Sequence, residues 1–251
     1  MLKESFILLD RMGPASELKI WKSGVANWDA FRETKRVAGI AVLRKGFYDR
    51  QLDKAEAALR AEEVEHFASV LPPSQQWRLW EQFKDQAVFL DIETSGYYGD
   101  VTVVGLYDGL DTKTMVRGIT FDKEVLKKEL AQYKLLVTFN GRSFDVPVLK
   151  RYFSEVIPDI PHIDLRHVCA KIGLTGGLKV IEERLGITRP TSIAGLSGAD
   201  AVFLWQQWKA TGDHQYLEKL VQYNEEDIVN LKPLAEYAIP ELWKQVRMPK
   251  A

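Results

Sequence analysis

The chain has 251 residues, 46% hydrophobic and 27% charged, with 34 basic against 35 acidic side chains and a formal net charge of −1. That apolar share excludes a disordered chain, and the charge balance leaves any nucleic-acid contact to a local basic face. Cys169 is the single cysteine, which excludes an intrachain disulfide and a cysteine-based zinc site and suits a reducing compartment. No apolar run approaches the ~18 residues of a membrane helix. The start MLKESFILLDRMG has an apolar core too short for a signal peptide. The expectation is a cytoplasmic monomer without a membrane partner.

The first part of the chain, to about residue 85, reads as helical. Leu18, Trp21 and Val25, then Leu52, Ala55 and Leu59, recur at helical spacing. Leu71-Pro72-Pro73-Ser74 is a break, and Ser74 suits the N-cap of a helix through Trp77, Leu79, Trp80 and Phe83. The pattern changes at Ala87. The run 87–90 predicts a strand buried on both faces. A second strand is expected over 101–107 and a third, at an edge, over 114–120. The Asp-Gly turn signal between such runs predicts antiparallel neighbours. A helix over 123–133 and a strand over 134–139 follow, then mostly helices. This is the pattern of an α/β sheet with helices on its faces.

Asp91-Ile92-Glu93 closes the first buried strand. Alternate strand residues share a face, so two carboxylates meet where open α/β sheets bind ligands. They repel unless a cation lies between them, and hard oxygen ligands favour magnesium or manganese. An Asp-x-Glu alone is a weak signal. Asp122-Lys123-Glu124 repeats it at a helix start, where i and i+2 do not share a face. The next element is Phe139-Asn140-Gly141-Arg142-Ser143-Phe144-Asp145, with Asn140-Gly141 as a turn and Ser143 as an N-cap. Asp145 then stands at a helix N-terminus, where the macrodipole favours a negative charge. An ordinary capping acid would occupy the same place. Tyr223-Asn224-Glu225-Glu226-Asp227 lies in a segment of helical period, so Tyr223 and Asp227 share a face.

Asp-x-Glu on a first strand, Asn…Asp after a later strand and Tyr-x-x-x-Asp on a late helix resemble, in that order, the DEDD exonucleases of the ribonuclease H-like superfamily. The tyrosine marks the DEDDy subclass. LDIETSG, FNGRSFDVPVL and YNEEDIVNL are similar to the proofreading domains of family B DNA polymerases and, more closely, to YprB-type predicted exonucleases. The resemblance covers about residues 85–240. It implies a ribonuclease H-like mixed sheet flanked by helices over 85–251, with a small helical N-terminal extension over 1–84. It also implies a metal-dependent 3′→5′ exonuclease acting at a single-stranded 3′ end, DNA favoured over RNA. Asp91, Glu93, Asp145 and Asp227 would be catalytic ligands of two Mg2+ (or Mn2+) ions about 3.5–4 Å apart. Tyr223, with an ordinary pKa near 10, would orient the attacking water rather than deprotonate it. An exoribonuclease with the same site, and a catalytically silent nucleic-acid-binding module, are the alternatives. A glycosidase carboxylate pair leaves the other acids and the tyrosine unexplained.

Thr94, Asn140, Arg142, Ser143 and Lys179 are the expected substrate-binding residues. Lys179 follows the Gly176-Gly177 turn that opens a helix, where backbone amides can hold phosphate. Tyr97 and Tyr98 could stack on a terminal base. His162, Asp164 and His167 admit a metal reading, but Asp164 also suits the N-cap of a helix over 165–171. Leu9-Asp10-Arg11-Met12-Gly13-Pro14 looks like a degenerate helix-hairpin-helix, with Arg11 where that family usually carries glycine. Residues 31–50 add a basic stretch: Arg32, Lys35, Arg36, Arg44, Lys45 and Arg50 outnumber Glu33 and Asp49.

Overall fold

The computed structural model describes residues 1–96 and 99–249. Tyr97 and Tyr98 lie outside the described residues. The chain divides into two compact units. One comprises Met1–Lys84, Asp159–His162 and the chain from Ile239 on; the other comprises Asp85–Pro158 and Ile163–Ala238. The residues from 239 on, expected from sequence within the second domain, group with the first unit.

The first unit contains α1 (Pro14–Lys22), α2 (Trp28–Glu33), α3 (Val42–Arg60), α4 (Val64–Val70) and α5 (Trp80–Phe83). Pro14 occupies the first position of α1 after Gly13, where its missing N–H costs nothing. Asn27 caps α2 by accepting from the Ala30 amide at 2.9 Å. Ser74 does not cap a helix. It lies within a 3-10 turn over Pro73–Leu79 that runs into α5, because Pro73, with φ already fixed, starts the turn one residue earlier. Arg11 takes φ +56°, the left-handed conformation that the usual glycine would adopt freely. Phe6, Phe31, Leu52, Phe67 and Phe83 fill the core. One ion pair is buried within it. Glu17 Oε1 accepts from the amides of Phe6 (2.7 Å) and Ile7 (3.1 Å), and both its oxygens accept from Arg78 at 2.8 Å. The Arg78 guanidinium lies 5.3 and 5.5 Å from the rings of Trp77 and Trp243.

The second unit is built on a five-stranded mixed sheet of order β3-β2-β1-β4-β5. The strands are β1 (Ala87–Thr94), β2 (Val101–Tyr107), β3 (Thr112–Val116), β4 (Leu135–Thr138) and β5 (His162–Asp164). β1 pairs antiparallel with β2 and parallel with β4, and β2 pairs antiparallel with β3. This is the expected α/β fold. β3 stops short of the expected 120: Gly118, at φ +77°, turns the chain, and Ile119, Thr120 and Phe121 donate back to the Val116 carbonyl. The helices are α6 (Lys123–Leu130), α7 (Asp145–Tyr152), α8 (Leu165–Lys171), α9 (Leu178–Leu185), α10 (Gly198–Thr211), α11 (His214–Val229) and α12 (Leu231–Arg247). α12 continues past Ile239 into the first unit. Ala201, Leu204 and Trp205 of α10 and Leu217, Leu220 and Tyr223 of α11 form one buried cluster with Val103 and Val116. That cluster seats α11 against the sheet and so fixes where its acidic face points.

Candidate metal site

β1 carries Asp91 and Glu93 on one face, and α11 brings Asp227 to them. Each of the three offers a carboxylate oxygen, and these oxygens lie within 4.8 Å of one another. Among the described residues this is the only group of three or more His, Cys, Asp or Glu side chains so arranged. Glu93 and Asp227 are buried, and Asp91 is half-buried. Asp145, the first residue of α7, is 2% exposed. Its Oδ1 accepts from the Ile92 amide at 3.0 Å, which ties it to β1 at the residue between Asp91 and Glu93 in sequence, although it lies outside the group of three. Phe144, and not Ser143, holds the N-cap position of α7, with no side-chain cap bond. Ser143 is exposed in the preceding turn, its amide donating to the Asn140 carbonyl at 3.1 Å.

The electrostatics follow from this crowding. Burial, and then the charges of Asp145, Asp227 and Glu93, push the Asp91 carboxyl well above its ordinary value. Burial, Asp227 and Asp145 do the same to Glu93. Burial raises Asp227, against the pull of Arg189. Asp145 is pushed up to about 7, mainly by burial, although amide hydrogen bonds hold it back. Four acids whose charged forms are disfavoured together fit a site for divalent cations, and all-oxygen donors are the set that Mg2+ or Mn2+ takes. Without metal, folding takes up protons at these acids. For Asp145, ordinarily 3.8 and about 7 when folded, stability is greatest below about 4 and is lost as pH rises to 7. In EDTA the melting temperature should therefore fall between pH 5 and pH 8, and saturating Mn2+ should flatten the slope. A melting temperature in EDTA independent of pH would count against the crowding.

Tyr223 stands one helical turn before Asp227 and is 6% exposed. Burial, with the charges of Asp227, Glu93 and Asp91, pushes its hydroxyl pKa far up, which suits a hydrogen-bond donor and not a base. The Lys179 ammonium lies 4.5 Å from the Tyr223 ring centroid, and its nitrogen is buried without a hydrogen bond. Burial lowers its pKa, partly offset by Asp227. A cavity of about 330 Å³ opens beside the acids, with Asp91, Asp227, Phe139, Asn140, Arg166 and Leu178 among its walls. Asn140 reaches it from φ +69°. Its side chain accepts from Arg166 at 2.7 Å.

Thr94, Arg142, Ser143 and Lys179 are not on this wall, and of the expected substrate-binding residues it holds Asn140. The Thr94 hydroxyl donates to the Gly96 carbonyl at 2.9 Å. Asp164 caps α8 through the Arg166 amide (3.1 Å) and also receives the amides of Asn140 (2.8 Å) and Arg142 (3.1 Å). It thus orders the turn before Asp145. His167 is exposed, 3.8 Å from Asp164, and neither His162 nor His167 is in the carboxylate group.

Two partners of the acids escaped the sequence reading. Asn224 Nδ2 donates to Asp91 Oδ2 at 2.9 Å. Gly105, paired with Asp91 across β1 and β2, makes room for it: a Cβ there would overlap Asn224 Oδ1. A glycine inside an otherwise apolar strand is the signal that marks such a close approach. Arg189 is the second. It pairs with Asp227 Oδ1 at 2.5 Å and with Glu182 at 2.6 and 2.7 Å.

The sequence profile of the RNase H superfamily matches residues 88–239. Among solved structures the chain is similar to Escherichia coli RNase D, an exoribonuclease involved in structured RNA processing, at 23% identity and TM-score 0.47, over 69% of this chain and 44% of that one. It is similar to a nuclease in its apo form at 19% identity and TM-score 0.48, over 66% and 77% of the two chains. It is similar to the family B DNA polymerase of the hyperthermophilic archaeon Pyrobaculum calidifontis at 14% identity and TM-score 0.45, over 65% and 27%. The chain thus spans less than half the length of the RNase D it matches. No match was found among curated proteins.

Proposed function

The chain belongs to the RNase H superfamily, and on that premise we propose that it is a metal-dependent 3′→5′ exonuclease of the DEDDy type, acting on single-stranded ends and on DNA in preference to RNA. The observation that carries this reading is the convergence of Asp91, Glu93 and Asp227, with oxygens within 4.8 Å, beside Asp145 and Tyr223. Asp91, Glu93, Asp145 and Asp227 would hold two divalent cations, which when bound supply charge neutralisation at the scissile phosphate and a more acidic water.

The remaining steps belong to side chains. The Tyr223 hydroxyl, held protonated by its acidic surroundings, donates a hydrogen bond that orients the attacking water. The Lys179 ammonium offsets negative charge next to Asp227 and Glu93 and on this reading would meet a phosphate oxygen. Phe139 and Leu178 give the cavity an apolar wall against which the terminal base can rest.

The test is a 5′-labelled single-stranded DNA and its matched RNA, each incubated with the protein and Mn2+, with EDTA as control. A metal-dependent ladder shortening from the 3′ end, faster on DNA, is the expected result. Faster loss of RNA would make the enzyme an exoribonuclease. Tight binding of both strands without products would sink the nuclease reading.

A further inference from the structure

We infer that Arg189, braced by Glu182, is a positioning residue that sets the Asp227 carboxylate for cation binding; this rests on the metal-dependent reading above. Arg189 follows α9, and Glu182 lies on it. Their side chains are 5% and 2% exposed, so both charges are out of water. Glu182 takes Nε at 2.6 Å and Nη2 at 2.7 Å, which fixes the guanidinium plane. The same Nη2 then reaches Asp227 Oδ1 at 2.5 Å. The contact sets one oxygen of the Asp227 carboxylate against the guanidinium as an ion pair.

A buried pair kept only for stability does not need this third contact, since apolar residues of similar volume commonly serve as well. The rigid fork explains why arginine stands here: a lysine ammonium is a point charge and cannot fix a plane from two donors. Groups that orient a ligating carboxylate typically matter about 10- to 100-fold for metal affinity. A different role predicts the opposite sign. If Arg189 were only a counter-charge occupying the acidic site, it would repel the incoming cation, and its removal would tighten metal binding.

Calorimetric titration of the metal-free 251-residue chain with Mn2+ separates the two. The variants are Arg189→Lys, which keeps the charge and loses the fork, and the double variant Glu182→Gln/Arg189→Gln, which removes both buried charges together. Each is first checked for cooperative thermal unfolding. If one does not fold, the other decides. Mn2+ affinity is expected to fall about tenfold or more in both. Nuclease assays should show kcat falling at fixed Mn2+ with KM little changed, and activity recovering as Mn2+ is raised. Affinity that is unchanged or higher in the variants overturns the inference. A wild-type protein that binds Mn2+ but cuts neither DNA nor RNA defeats only the exonuclease reading, because the affinity comparison still tests Arg189. A wild-type protein that binds no Mn2+ overturns both.

Discussion

Asp91→Asn is expected to lower the exonuclease rate about 1,000-fold or more while raising the melting temperature of the metal-free protein. The first effect follows from the ligand set. A cation-held phosphate and water supply several kcal/mol of barrier reduction, and each ~1.4 kcal/mol is a factor of ten. The second follows from repulsion. Asp91 sits among Asp145, Asp227 and Glu93, all of which oppose its ionisation. The amide that replaces it keeps an oxygen for the Asn224 donor, now 2.9 Å from Oδ2, and removes one negative charge. Oligonucleotide cleavage and thermal unfolding in EDTA at pH 8 measure the two effects on one sample. Undiminished cleavage removes Asp91 from the site. A fall in melting temperature means that its hydrogen bond outweighs the repulsion. Opposite signs for activity and stability would identify a site whose acids are arranged for a bound cation at the expense of the metal-free fold.

Arg78→Met is expected to destabilise the first unit by about 3–5 kcal/mol, the usual cost of stranding one member of a buried ion pair. Glu17 is fully buried and would keep only the Phe6 and Ile7 amides as donors. Arg78 would also leave its hydrogen bond to the Ser5 hydroxyl at 3.0 Å and its place against Trp77 and Trp243. At roughly 2–4 °C per kcal/mol for a chain of this size, the unfolding transition of this unit should move down by about 6–20 °C. Adding Glu17→Gln should recover part of the loss, because the stranded charge is then gone and the amide oxygen still accepts from the backbone. A single variant that melts with the wild type would show that the pair is not a stabilising element.

These experiments divide along the line between what is local and what is distant in the chain. The sequence by itself determined the strand that carries Asp91 and Glu93, the turn and helix that carry Asp145, the helix face shared by Tyr223 and Asp227, and the Asp164 cap. Each is written in a spacing of two to four residues, the range over which strand and helix geometry fix side-chain direction. Helix starts were less legible. Ser74 and Ser143 have capping side chains, but Pro73 and the turn at Asn140 set the starts of those elements instead. Tertiary structure alone decided the partners. Asn224 meets Asp91 across 133 positions, and Arg78 meets Glu17 across 61. Arg189 reaches Asp227 from beyond α9, although nothing in its own neighbourhood distinguishes it from an exposed arginine. A charge carries no periodicity that names its counter-charge, so such pairs exist only once the core has brought the elements together. Gly105 belongs with them: it leaves room across the sheet for the Asn224 side chain, a role visible only once the fold supplies that side chain.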